Sequence, residues 1–172
     1  LLYKPFFGKF SFPSYIGKPI YINNFKKIFI GKRVRIFPNS RIECIGKDAK
    51  IIIHDNVSIG HNLHLTAFST LEISKNSTIS SNVLITDNKH TYTKIGHHIM
   101  TQKSVIKKTF IGENSFIGTG AVIDAGTILG KQCIVGANAV VSGLYPDFCV
   151  IVGAPARIIK RYDTNAKKWK KV

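Results

Sequence analysis

The chain has 172 residues and a formal net charge of +16, from 25 Lys and Arg against 9 Asp and Glu, and 44% of it is hydrophobic. That length suits one domain with a real core and is short for two, and the composition excludes a disordered chain. The longest apolar runs, such as Ile51–Ile53 and Val150–Val152, are far too short for a transmembrane helix.

The charge excess is compatible with a solvated basic surface, a polyanionic ligand, an anionic membrane face or nucleic acid. No nucleic-acid motif and no aromatic–basic interleaving accompanies it, so nucleic acid is not an expected partner. The opening Leu1–Phe7 is broken by Lys4 and Pro5 and does not read as a signal peptide. Cys44, Cys133 and Cys149 are odd in number and show neither a CxxC pair nor metal-type spacing. A reduced, cytoplasmic protein is expected.

In chain order, residues 1–27 are rich in Phe, Tyr and Pro and are read as an N-terminal cap. Aliphatic residues then recur six apart: Ile30, Ile36, Ile42; Ile53, Ile59, Leu65; Ile73, Ile79, Ile85; and Ile111, Ile117, Ile123, Leu129, Val135, Val141. Gly often follows the aliphatic residue, as at Gly31, Gly60, Gly112, Gly118, Gly130 and Gly136. A small or β-branched residue often sits four after it, as at Val34, Val57, Ser77, Val83, Ser115, Ala121, Thr127 and Ala139. Such a period fits neither a helical stripe nor an alternating hairpin. It predicts a solenoid of short strands, with three hexads per triangular coil and stacked coils burying an aliphatic column. An antiparallel sandwich has no reason to keep this phase.

Residues 43–52 and 66–72 break phase by a few residues and predict small bulges at coil corners. Residues 86–110 form a long excursion, and long ordered loops on rigid scaffolds usually serve function. The solenoid domain is placed at 28–161. Residues 162–172, with Lys167, Lys168, Lys170 and Lys171 around Trp169, are read as a basic tail forming a short C-terminal helix.

Three stretches, Ile111–Gly118, Ile134–Ser142 and Val152–Arg157, follow the long loop in this order. With the repeat they resemble the hexapeptide-repeat acyltransferases, in particular the bacterial polysaccharide and sugar O-acetyltransferase branch. The resemblance spans roughly residues 28–161 and implies an all-β, left-handed parallel β-helix. Right-handed crossovers are the general rule, so the hand comes from the resemblance alone. It also implies acetyl-CoA as acyl donor, no metal, and a homotrimer with its active sites between neighbouring subunits.

The loop start, Asp87-Asn88-Lys89-His90-Thr91-Tyr92, is similar to that branch's Asp-His-x-His motif followed by Gly, Ser or Thr and then Tyr. His90 matches the second His, and Asn88 replaces the first. The resemblance makes His90 the general base: a neutral imidazole takes the proton of an acceptor hydroxyl as it attacks the thioester. Asp87 is assigned to orient the imidazole or contact the sugar, with a turn-forming role equally open. Asn62 matches an acceptor-binding Asn, with corner capping as the alternative, and His61 and His64 lie beside it. Tyr92 and Gln102 complete the acceptor side, Gln102 matching a residue that closes the loop. On the donor side, Phe116 stands where Trp is usual. Gly118, Thr119, Ala137 and Ser142 match positions beside the CoA arm, and Arg157 and Lys160 match cations that meet its phosphates.

The expected acceptor is a sugar hydroxyl of a surface polysaccharide (O-antigen, capsule or exopolysaccharide) or its precursor, with lipid-linked and anionic forms both open. Peripheral contact with the inner membrane face is open too. Rival readings are an amino-sugar N-acetyltransferase, a γ-carbonic-anhydrase-like zinc enzyme using His61, His64 and His90, and a non-enzymatic basic solenoid binding an acidic polymer.

Overall fold

Residues six apart cannot share a helical stripe, and here each aliphatic repeat residue lies in a short strand on a different side of a triangular coil. The computed structural model describes residues 4–172 and is an all-β parallel solenoid of about seven turns. Leu1, Leu2 and Tyr3, where the expected cap begins, lie outside the described residues.

Face A stacks Lys9–Phe10, Ile28–Ile30, Lys50–Ile53, Thr70–Ile73, Phe110–Ile111, Ile128–Leu129 and Leu144–Tyr145. Face B stacks Tyr15–Ile16, Arg35–Ile36, Ser58–Ile59, Thr78–Ile79, Phe116–Ile117, Ile134–Val135 and Cys149–Gly153. Face C stacks Tyr21–Ile22, Arg41–Cys44, His64–Ala67, Leu84–Thr86, Val122–Ile123 and Val140–Val141. The predicted hexads fall into three inward columns. Ile30, Ile53, Ile73, Ile111 and Leu129 are successive register partners on face A. Ile36, Ile59, Ile79, Ile117 and Val135 do the same on face B, and Ile42, Leu65, Ile85, Ile123 and Val141 on face C. None of these is more than 1% exposed. Burying one such side chain contributes about 1.5–3 kcal/mol.

The corners explain the other two sequence signals. All eight small or β-branched residues four after an aliphatic one are buried, and the hydroxyls of Ser77, Ser115 and Thr127 cap carbonyls of neighbouring coils. Ser77 donates to the Gly112 carbonyl at 3.0 Å and Thr127 to that of Val141 at 2.9 Å. Gly118 is required by close approach between coils: a Cβ there would lie 2.6 Å from the Ala137 nitrogen. The phase also extends upstream, because Phe10, Ile16 and Ile22 pair with Ile30, Ile36 and Ile42. Residues 9–22 of the expected cap therefore continue the three columns.

The C-terminal helix is not formed. Ala156–Asp163 instead pairs antiparallel with Cys149–Gly153, and Lys168–Lys171 pairs back onto it. The physical reason is an open sheet edge beside a tail too short to hold a helix alone. Cross-strand aromatics favour the hairpin, with Tyr162 and Trp169 ring centroids 5.6 Å apart. The Asp163 carboxylate caps the turn by accepting the N–H groups of Asn165 and Ala166. Among the described residues no helix is long and apolar enough to cross a membrane.

Candidate active site

The corner joining face C to face A absorbs the departures from phase. Residues 45–49, Phe68–Ser69 and the long excursion all lie there. The excursion is ordered as an antiparallel hairpin, Asn88–His90 against Ser104–Ile106. Its base is tied to the solenoid. Asp87 is fully buried, and its carboxylate accepts the backbone N–H of Phe68 at 2.8 Å and the N–H and hydroxyl of Ser69 at 2.7 Å. Asp87 thus anchors the strand that carries His90, one coil back, through bonds that engage both of its oxygens. Lys89 meets Asp124 at 3.7 Å, in the same corner of the following coil.

His90 is exposed at the end of its strand, with Nδ1 3.4 Å from the Ser104 hydroxyl. Among the described residues one ring nitrogen thus has a partner and the other has none, the arrangement a general base needs. Gln102 closes the loop: its amide donates to the carbonyls of Lys94 and His97, and its oxygen accepts the N–H of Lys94. Tyr92 is 70% exposed on the same excursion.

The other candidates sit elsewhere on the triangle. Asn62 is at the corner between faces B and C, in a left-handed conformation (φ 59°), and donates to the Asn82 side chain at 2.8 Å. It is a corner residue stacked on the next coil. His61 packs against Phe37 with centroids 5.2 Å apart. Gly118, Thr119 and Ala137 share this corner, while Ser142 lies past face C near the loop corner. Phe116 projects from face B, 45% exposed. Arg157 and Lys160 are on the antiparallel strand added to face B. Lys160 lies directly opposite Lys171, and neither forms an ion pair among the described residues. Opposed like charges cost stability, so this edge is suited to an anion.

His64 has the most elaborate surroundings. Arg41 makes two bonds to Glu43 at 2.7 and 3.1 Å, Glu43 lies 3.4 Å from His64 Nε2, and Thr66 approaches the same nitrogen at 3.2 Å. The Arg41 hydrogen bond holds the Glu43 carboxyl below its usual range against the opposing effect of burial, with the Arg41 charge and then the His64 bond and charge adding smaller downward effects. Glu43 and Ser104 were not singled out from sequence, although Glu43 is one coil before His64 and two residues from Arg41. Among the described residues no three His, Cys, Asp or Glu are grouped as metal ligands.

Within one chain, then, the His90 loop and the Gly118–Ala137 corner are separated by the width of face C. From Gly118 to Asp124 is six residues, at most about 20 Å of extended chain.

The family described as bacterial transferase hexapeptide (six repeats) matches residues 108–143. The chain is 31% identical over 166 residues to WbbJ of Escherichia coli (strain K12), named as a lipopolysaccharide biosynthesis O-acetyl transferase, covering 89% of this chain and 81% of that one. It is 41% identical over 145 residues to a 24.8 kDa protein in the cps region of Klebsiella pneumoniae, covering 82% of this chain and 61% of that one. Among solved structures, AntD, an N-acyltransferase from Bacillus cereus in complex with dTDP and 3-hydroxybutyryl-CoA, superposes with a TM-score of 0.80 at 20% identity over 96% of this chain and 88% of that one. A galactoside acetyltransferase in complex with coenzyme A gives 0.63 at 23% identity over 99% and 75%. At these identities the likeness to the solved structures is one of fold.

Proposed function

The chain belongs to the bacterial hexapeptide-repeat transferases, and we propose on that premise that it transfers an acetyl group from acetyl-CoA to a sugar hydroxyl of a surface polysaccharide or its precursor. The observation that carries this reading is the 31% identity to WbbJ across 81% of that protein's length. The exposed imidazole of His90 supports it chemically. His90 removes the hydroxyl proton as the sugar oxygen attacks the thioester carbonyl. Collapse of the tetrahedral intermediate expels the CoA thiolate, which recovers the proton from the imidazolium. No acyl-enzyme is needed.

The solenoid is left-handed in this reading, and the active site is shared between copies in a homotrimer. The motive is geometric: His90 and the Gly118–Ala137 corner lie at different corners of one chain, and only a neighbour brings them together. Val140, 41% exposed, and Val122 project from the intervening face and offer an apolar surface for that neighbour. Acetyl-CoA lies along the later coils, with Arg157 and Lys160 at its phosphates.

The test is release of free thiol from acetyl-CoA by the purified protein, with repeat-unit saccharides of lipopolysaccharide as acceptors. The reading expects acceptor-dependent thiol release and a product whose acetyl group is removed by mild base, as an ester is. A base-stable product identifies a nitrogen acceptor, and the absence of acceptor-dependent release with any saccharide overturns the activity.

A further inference from the structure

We propose that the first two coils carry a second saccharide subsite, for an acidic sugar unit, built from Phe12, Tyr15, Arg33 and Arg35. The subsite rests on the reading of the acceptor as a saccharide and assigns it a charge and a place to bind outside the acetyl-transfer cleft.

The segment 33–37 alternates. Val34 and Ile36 are fully buried, so Arg33, Arg35 and Phe37 project outward. Tyr15 is the register partner of Arg35, and Phe12 and Pro13 wall the other side. Together with Asn56 they line a shallow, open concavity of about 440 Å³. Two rings are left in water there, Phe12 at 73% and Tyr15 at 44% exposure.

Arg33 departs from the residue its corner favours. It adopts a left-handed conformation, φ 55°, at the corner where the next three coils place Asn56, Asn76 and Asn114, and only the last two coils place Gln132 and Phe148. Asn tolerates that conformation because its short side chain bonds locally, whereas a longer side chain gains no such compensation. The Asn56 amide donates to the Asn76 side chain at 3.0 Å, a rung that Arg33 does not extend among the described residues. Neither Arg33 nor Arg35 forms a hydrogen bond from its side chain or an ion pair among the described residues. The first fifty residues hold eleven of the 25 Lys and Arg but only Glu43 and Asp48 among the carboxylates. Glu43 is already committed to Arg41.

Two free guanidinium forks beside exposed rings match one ligand chemistry. The forks take a carboxylate or phosphate through paired N–H bonds, and ring faces take the C–H face of a pyranose. An acidic sugar satisfies both. The rings also point toward the cleft. Tyr15 meets Phe37 edge-on at 5.9 Å and Phe37 meets the tilted His61 ring at 5.2 Å, which leads onto the corner shared by Gly118 and Thr119. Three coils separate Phe37 from Gly118 along that corner, about 14 Å at the spacing of paired strands, a span of a few sugar units.

Calorimetric titration at low salt tests the subsite. The probes are tetragalacturonate and glucose 1-phosphate as acidic sugars, maltotetraose as a neutral chain and inorganic phosphate as a sugar-free anion. At least one acidic sugar is expected to bind at least tenfold more tightly than maltotetraose and phosphate, and the preferred arm tells a carboxylate from a phosphate. Arg33→Asn with Arg35→Gln should weaken that binding at least tenfold, and Arg33→Asn suits the corner and protects the fold. Lys75→Gln with Lys131→Gln removes the same charge further along that corner and should leave affinity unchanged. Equal loss in both double variants, equal binding of phosphate, or no acidic-sugar binding overturns the proposal. A change of sedimentation in the Arg variant also overturns it and assigns the concavity to a contact between copies. Binding is read without turnover, so loss of acetyl transfer and loss of the subsite are separate results.

Discussion

Asp87 Oδ2 accepts both the backbone N–H and the hydroxyl of Ser69, each at 2.7 Å, so a buried carboxylate joins the root of the His90 hairpin to the preceding coil. In Asp87→Asn one carboxylate oxygen becomes a donor facing N–H groups. A loss of about 1.5–3 kcal/mol is expected. Hydrogen exchange should quicken across residues 88–106 and stay slow in the coils 111–141. Unchanged exchange in the hairpin would show that Asp87 does not hold it.

Glu43 gives a dependence on pH with a definite sign. Its carboxyl is held below the usual range, chiefly by the Arg41 hydrogen bond. The stabilisation it adds is therefore fully present above the ordinary Glu value and drains as pH falls through the lower folded one. The melting-temperature gap between the wild type and Glu43→Gln should persist from neutrality down to the ordinary carboxylate range, roughly pH 4–5, and shrink as pH falls below it. A gap that keeps widening below that range contradicts this.

The cysteines should be inert in the folded protein. Cys44, Cys133 and Cys149 are fully buried, and burial pushes the Cys44 thiol up to about 11 and that of Cys133, with Cys149 adding to the effect, to about 12. The two sulfurs of Cys133 and Cys149 lie 3.6 Å apart. A thiol-reactive chromogenic disulfide at pH 8 is expected to label none of the three natively and all three after denaturation. Rapid native labelling would place a thiol at the surface.

The cationic edge should govern donor affinity. Arg157→Ala and Lys160→Ala are expected to raise KM for acetyl-CoA with little change in kcat, because remote phosphate contacts act alike in ground and transition states. Lys171→Ala should join them, since Lys171 stands opposite Lys160. Donor affinity that ignores all three places the phosphates elsewhere.

Much of this was legible in the sequence because a solenoid writes its core as a period. Each hexad residue from Ile30 to Val141 falls on an inward column. The tail was not legible: Lys167–Lys171 has no apolar stripe, and what decides its form is the edge of Cys149–Gly153, a partner fixed only by the finished fold. The same holds for the site. His90 and Gln102 stood out by motif, and the structure joins them in one loop. The bond between Asp87 and Ser69 and the proximity of Glu43 to His64 join residues one coil apart. That distance is set by coil length, which varies wherever the C-to-A corner takes extra residues.

The most direct test is turnover of His90→Ala at saturating acetyl-CoA and a confirmed saccharide acceptor. The hydroxyl proton leaves in the transition state, whereas the donor is held by later coils, so kcat should fall roughly 10²–10⁴-fold with acetyl-CoA affinity nearly intact. His97→Ala and His98→Ala, further along the same excursion, should turn over close to wild type. Near-normal kcat in His90→Ala would contradict the mechanism, whatever became of the fold and the family.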